Sequence, residues 1–308
     1  MFNFVQHRRL YFAISGVVIF LGLLAMLLAT LSSGQPFRVG VDFRSGTRFE
    51  IRFLEAVTES EIREAFQDLG FATPEVTAIG SPDESSTWQV RTDFVKPDEV
   101  QRLLSGLEDS LPPVDHDATS VQSVSPSIGQ EVTRAAFVAI LVAAVIILVY
   151  IMFSFRQVAN PFRYGACAVI AMLHDLIIIF GFIAITGYLL AWEIDALFLT
   201  AALTVAGFSL QDTIVVFDRI RENSKKRPLD NYELTVNRSV LETMHRSLAT
   251  QLSAMFVLVA LLLFGGASIK PFIGVLFVGL LSGTYSSLFT AVPLLVSWDK
   301  GEIPFLPT

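Results

Sequence analysis

Hydrophobic and polar positions fall into two regimes along this chain. Leu10–Leu31 is apolar without a charge, Ser32–Arg134 is polar and mixed, and apolar blocks then return at Ala135–Phe153, Ala166–Thr186, Ala196–Phe217, Leu248–Phe264 and Phe272–Val296. About 20 consecutive apolar residues cross a bilayer core as a helix. The pattern therefore predicts six transmembrane helices with an inserted polar domain after the first. Leu248–Phe264 is short for a span, so its helix is expected to begin earlier, near Asn237, and to carry Arg246. Phe272–Val296 holds Gly279, Ser282, Gly283, Ser286 and Ser287, the small residues that let membrane helices approach closely. Gly279 and Gly283 are expected to offer such a face to a partner chain. Arg8 and Arg9 precede the first block as basic residues precede a signal peptide, but its apolar core exceeds the ~7–15 residues of a cleaved signal. An uncleaved first helix is expected.

Inside the polar stretch the period changes. Arg48–Glu55 alternates as a strand does, Glu75–Ile79 and Thr87–Phe94 read as two more, and Val121–Val124 as a fourth. Ser81-Pro82-Asp83-Glu84 reads as a turn between the second and third. Thr58–Leu69 opens with a Thr-x-x-Glu capping box and closes on Gly70, and Asp98–Leu107 follows Pro97; both read as helices. The order β-α-β-β-α-β is the ferredoxin-like arrangement. That fold hosts many functions, so alone it assigns none.

Composition narrows the class. Of the 308 residues 53% are hydrophobic and the mean hydropathy is +0.58, above the ordinary soluble range. The formal net charge of −7 gives no evidence of nucleic-acid binding, and no nucleic-acid partner is expected. Cys167 is the one cysteine, and the four histidines (His7, His116, His174, His245) show no metal-ligand spacing. No nucleotide loop, metal motif or nucleophile motif is present, so neither an enzyme nor a cofactor is expected. Lys and Arg sit near the N-terminus, in Ser154–Tyr164 and, seven of them, in Asp218–Arg246; Gly187–Asp195 has none and Gly265–Pro271 has Lys270 alone. By the positive-inside bias both termini are expected in the cytoplasm and the inserted domain outside. The expected organisation is a start and first helix at 1–31, an extracytoplasmic domain at 32–134, helices two to six over 135–298 with a basic cytoplasmic loop at 218–246, and a cytoplasmic tail at 299–308.

Charges inside the apolar blocks are the candidate chemistry. Asp212 lies within a span, where a carboxylate costs at least ~2.5–3.5 kcal/mol on insertion scales and is usually functional. It is six residues before Asp218, ~9 Å at the helical rise. Arg246, near the start of the next span, either pairs with Asp212 or snorkels as an interface anchor. Asp175, with His174 beside it, is deeper and is either a second relay carboxylate or a packing node. Ser209 shares a face with Asp212 at i,i+3. Glu193 and Asp195 read as solvated loop charges.

Several of these residues stand in longer motifs. Gly40-Val41-Asp42-Phe43-Arg44-Ser45-Gly46 follows the first apolar block, and Gln211-Asp212-Thr213-Ile214-Val215-Val216-Phe217-Asp218-Arg219-Ile220-Arg221-Glu222-Asn223, Leu173-His174-Asp175 and Gly283-Thr284-Tyr285-Ser286-Ser287 lie in or at the ends of later ones. With these segments the chain resembles, over nearly its whole length, the SecF family, the smaller partner in the SecD–SecF protein-export complex and a branch of the RND superfamily. The first is similar to that family's G-[IV]-D-F-x-G-G, with Ser45 in place of a glycine, and the second to N-D-T-[IV]-V-V-F-D-R-I-R-E-N, with Gln211 in place of Asn; the other two fit two more family segments. The resemblance implies a bacterial inner-membrane subunit that uses the proton-motive force, with a SecD-like chain and the SecYEG channel, to help pull unfolded polypeptide across. It implies that Asp212 and Arg246 carry the proton coupling. A proton-driven RND-like small-molecule transporter subunit and a structural assembly factor are the rival readings.

Overall fold

The computed structural model describes residues 3–79, 87–158 and 160–303. In chain order it holds α1 (Arg8–Ser33), a short α2 (Val41–Arg44), β1 (Gly46–Arg52), α3 (Glu59–Asp68), β2 (Glu75–Ala78), β3 (Thr87–Thr92), α4 (Pro97–Ser110) and β4 (Ser120–Val124). The long helices α5 (Pro126–Ser154), α6 (Pro161–Leu190), α7 (Ala196–Lys226) and α8 (Tyr232–Phe264) follow. The chain then forms α9 (Lys270–Ser286), a π-helical turn (Ser287–Ala291) and α10 (Val292–Asp299). Among the described residues six helical stretches are long and apolar enough to cross a membrane, as the block pattern predicts. The turn expected at Ser81–Glu84 lies outside the described residues.

The chain divides into two compact units. One comprises Val39–Phe137 with Glu193–Ala196; the other comprises Met1–Arg38, Val138–Trp192 and Leu197–Thr308. The first unit holds a four-stranded antiparallel sheet in the order β2-β3-β1-β4. Alternation along β1 turns Phe49 and Ile51, with Phe53 just beyond, onto a core that Ile62 and Phe66 of α3 and Leu107 of α4 complete. The α3 cap is the predicted one: Thr58 accepts from the Glu61 N–H, and Glu61 accepts from the Thr58 N–H. Two left-handed positions bracket the entry to β1. Gly46 has φ 124°, and a Cβ there would lie 2.7 Å from the Thr92 carbonyl oxygen. Ser45 has φ 64° and ψ 166°, a region close to glycine-only. The serine that departs from the family motif thus keeps a glycine-like backbone.

In the second unit α6, α7 and α9 are buried over much of their length, whereas α1, α5 and α8 leave most of their apolar surface exposed. Gly22 of α1 and Gly181 of α6 meet backbone to backbone. Gly279 and Gly283 are consumed inside the chain: Val205 and Ser209 of α7 fill the space over them. That corrects the expectation of a face open to a partner, because α7 already takes the close approach that those glycines permit. The π turn precedes Pro293, which lacks an N–H and cannot extend a regular ladder. The stretch 218–246 is helical over most of its length rather than a loop. α7 runs through Lys226, and α8 begins at Tyr232, where the Asn231 side chain accepts from the Glu233 N–H.

Candidate functional site

Asp212 lies on the inward face of α7 and is 5% exposed. Its Oδ2 accepts a hydrogen bond of 2.8 Å from Nε2 of Gln251 on α8. Sequence reasoning missed Gln251. The signal was available: a glutamine inside an apolar run must find a partner, and Ser247, also buried, stands one turn before it on the same helix face. Gln251 Oε1 is buried without a hydrogen-bond partner. The amide therefore suits both forms of the carboxyl group. Nε2 donates to the ionised group, and after rotation Oε1 accepts from the protonated one.

The direct Asp212–Arg246 pair is not formed. Arg246 is exposed on α8 and makes no ion pair with Asp212, although it lies near enough to act on that carboxylate electrostatically. With Asp218, Arg219, Glu222, Glu242 and Tyr150 it lines a cavity of about 540 Å³ at the charged ends of α7 and α8. Around that cavity Arg219 bridges Glu222 at 2.6 Å and Glu242 at 2.5 Å, and Asn223 Nδ2 donates to Glu242 at 2.9 Å. Gln211 is exposed.

A second buried carboxylate is separately built. Asp175 on α6 is fully buried. Its Oδ1 accepts from Ser282 Oγ at 2.6 Å and lies 3.0 Å from His174 Nδ1; its Oδ2 accepts from Ser209 Oγ and Ser286 Oγ, both at 2.6 Å. Ser209 thus serves Asp175 rather than Asp212, since its hydroxyl faces α6 and α9. His174 Nε2 is buried without a partner, and the ring stacks against Tyr285 at 6.4 Å between centroids. Three helices meet on one carboxyl group that three serine hydroxyls satisfy, with the His174 ring beside it, so the small serines of α9 both allow the close approach and hold it.

The motif after the first helix is not at this site. Gly40, Asp42, Phe43 and Gly46 lie in the sheet unit. The Gly40 N–H donates to the Ile194 carbonyl at 2.8 Å, and a Cβ on Gly40 would lie 3.0 Å from that oxygen. Asp42 accepts from Gln122 Nε2 at 2.6 Å and from the Ala196 N–H at 2.9 Å, so its carboxylate caps the first N–H of α7. The Phe43 carbonyl accepts from Thr133 Oγ1. Among the described residues no group of three or more His, Cys, Asp or Glu gathers as a metal site would.

Six apolar helices and two carboxylates buried within them define a polytopic membrane protein with ionisable groups in its helical unit. The family described as "Protein export membrane protein SecD/SecF, C-terminal" matches residues 107–301. The protein translocase subunit SecF of Anaerolinea thermophila is 41% identical, over 98% of this chain and 96% of that protein. The corresponding subunit of Thermobaculum terrenum is 40% identical, over 98% and 95%. Among solved structures, SecDF of Thermus thermophilus superposes with a TM-score of 0.78 at 30% identity, covering 97% of this chain and 39% of that one. The chain belongs to the SecF family of protein translocase subunits. It spans about 39% of the length of the solved SecDF chain. The small-molecule transporter reading is not favoured.

Proposed function

We propose that this chain works with a SecD-like chain and the SecYEG channel to couple the proton-motive force to export of unfolded polypeptide across the bacterial cytoplasmic membrane, with Asp212 as the group that takes up the proton. The observation that carries the reading is the Asp212–Gln251 hydrogen bond: a buried carboxylate in a span, held by a neutral amide that serves either protonation state. The mass of relatives supports the Sec assignment, and the SecDF of Bacillus subtilis, of which this chain matches 38%, supports a SecD-like half beside it. Arg246 is the cation whose pull on Asp212 differs between the two states, reached through the charged cavity rather than by direct contact. Asp175, His174 and Ser209 form the polar node that holds α6, α7 and α9 while the Asp212 region changes.

The bias of Lys and Arg towards the N-terminus, Ser154–Tyr164 and Asp218–Arg246 supports both termini in the cytoplasm and the sheet unit outside. The sheet order β2-β3-β1-β4 with α3 and α4 supports a ferredoxin-like domain there. Thiol labelling in a Cys167→Ser background should report Gln67 from outside and Lys225–Arg227 from inside; labelling of both from one side would overturn the topology.

Translocation into membrane vesicles, with and without a proton gradient, tests the coupling. Asp212→Asn fixes the neutral form at nearly constant volume, so gradient-dependent stimulation should vanish while the basal, gradient-independent step persists. Full stimulation in that variant would reduce Asp212 to a packing residue.

A further inference from the structure

The sequence presents Glu193 as a solvated loop charge, and the structure buries it. Its side chain is 9% exposed and packs within the sheet unit. Oε1 accepts from Gln89 Nε2 at 3.0 Å and from Arg91 Nη1 at 3.1 Å. Oε2 is buried with no partner. Arg91 reaches Glu193, Glu75 at 3.4 Å and, through Nη2, the Val39 carbonyl at 2.6 Å. The four-residue stretch 193–196 is then fastened at two further points. Ile194 pairs with Val39 in a parallel bridge, with the Gly40 N–H on the Ile194 carbonyl, and the Ala196 N–H is held by Asp42. Ala196 is also the first residue of α7.

We propose that Glu193 is a proton-binding site in the sheet unit, separate from Asp212, and that a proton held there fastens residues 193–196, and with them the first residue of α7, to the sheet. A buried carboxyl with one oxygen unsatisfied is costlier ionised than neutral. The charged groups around it oppose each other: Arg91 of β3 and Arg48 of β1 draw it towards the ionised form, and Glu75 of β2 pushes the other way. Asp195 lies two residues along the same segment, and Asp42 of α2 is taken up by Gln122 and the Ala196 N–H. Burial outweighs the arginines and the Gln89 hydrogen bond, and holds the carboxyl above the usual carboxylate range. The sign of the coupling follows from that direction. The fastened state binds the proton more tightly than the released state, where Glu193 is solvated, so acid tightens the clasp and alkali loosens it.

Pulsed electron spin resonance on the full chain in detergent, with the same pH on every face, tests this. Spin labels go on cysteines placed at the exposed Gln67 and Ala196 in a Cys167→Ser background, attached at neutral pH before the pH is set. The wild-type sequence at Glu193 should give one distance in mild acid, and a second, longer population that grows as the solution is made alkaline. Glu193→Gln carries the neutral side chain permanently and should keep the single distance throughout. Arg91→Met removes a cation that stabilises the ionised carboxylate in the fastened state, so the released population at alkaline pH should be larger than in the wild type. Asp212→Asn should leave the response intact, which separates this site from the proton role proposed for Asp212. An unchanged distribution across the range, a released population in Glu193→Gln at every pH, or loss of the response in Asp212→Asn would each overturn the proposal.

Discussion

Gln251 donates from Nε2 to Asp212 Oδ2 at 2.8 Å, and its own Oε1 is buried with nothing to accept from. A buried amide with half its capacity unused is uncommon, because each unsatisfied polar atom costs about 1–3 kcal/mol. Next to a carboxyl group that gains and loses a proton the spare acceptor has a use. The amide is satisfied in turn by its donor and its acceptor, so neither state of Asp212 is left bare.

Gln251→Leu should therefore impair gradient-dependent export without preventing insertion. Loss of the donor destabilises the ionised form, and loss of the acceptor destabilises the protonated one. A deficit of about 1.4 kcal/mol in the state that limits turnover lowers the rate about tenfold. Gln251→Glu keeps the shape but sets a second carboxyl group beside the first, and should be the more severe change. Initial export rates in vesicles with an imposed gradient check both.

Arg246 stands in the wall of the charged cavity rather than on Asp212. Arg246→Met should abolish most of the stimulation by the gradient while leaving the basal step. Arg246→Lys should recover part of it, because a point charge acting at a distance needs no planar fork. If Lys were as damaging as Met, a direct bidentate contact in another state of the protein would be indicated instead.

Ser45 carries a conformation that a side chain opposes. Residues held in such regions cost of order 1–3 kcal/mol, and glycine's extra freedom in the unfolded chain offsets roughly 0.5–1 kcal/mol of the relief. Ser45→Gly should stabilise the sheet unit by about 1 kcal/mol, and Ser45→Val should destabilise it. Thermal unfolding of the full chain in detergent, followed by circular dichroism, reads the shift. A lowered midpoint for the glycine variant would mean that the serine side chain contributes more than its backbone costs.

Much of this was legible in the chain. Six apolar blocks gave six long helices, and the alternation at Phe49, Ile51 and Phe53 gave the core strand. The capping box at Thr58 and Glu61 gave a helix start to the residue. Local signals carried those because period and capping are local physics. The partners of Asp212 and Asp175 were not legible, since they depend on which faces of α6, α7, α8 and α9 meet. Ser209 lies three residues from Asp212, yet its hydroxyl turns to Asp175 across a helix interface. Glu193 failed for a related reason: a charge in a short connection reads as solvated until the β3 side chains that cover it are known.

The close approach of α9 to α7 gives the last prediction. An added Cβ at Gly279 would fall 2.1 Å from Val205 Cγ2, a clash with a stiff β-branched side chain that in a helix strongly prefers a single rotamer. Gly279→Ala should push the helices apart, at a cost of about 1–3 kcal/mol, the usual range for overpacking. The damage should reach Asp175, because Ser282 and Ser286 ride on the same helix and would be drawn off the carboxylate. Val205→Ala opens the space that the new methyl needs. The double variant Gly279→Ala/Val205→Ala should therefore recover most of the thermal stability and of the export activity lost by the single one. Additive damage in the double variant would show that Gly279 is needed for a reason other than Val205, and the close packing of α7 on α9 would lose its explanation.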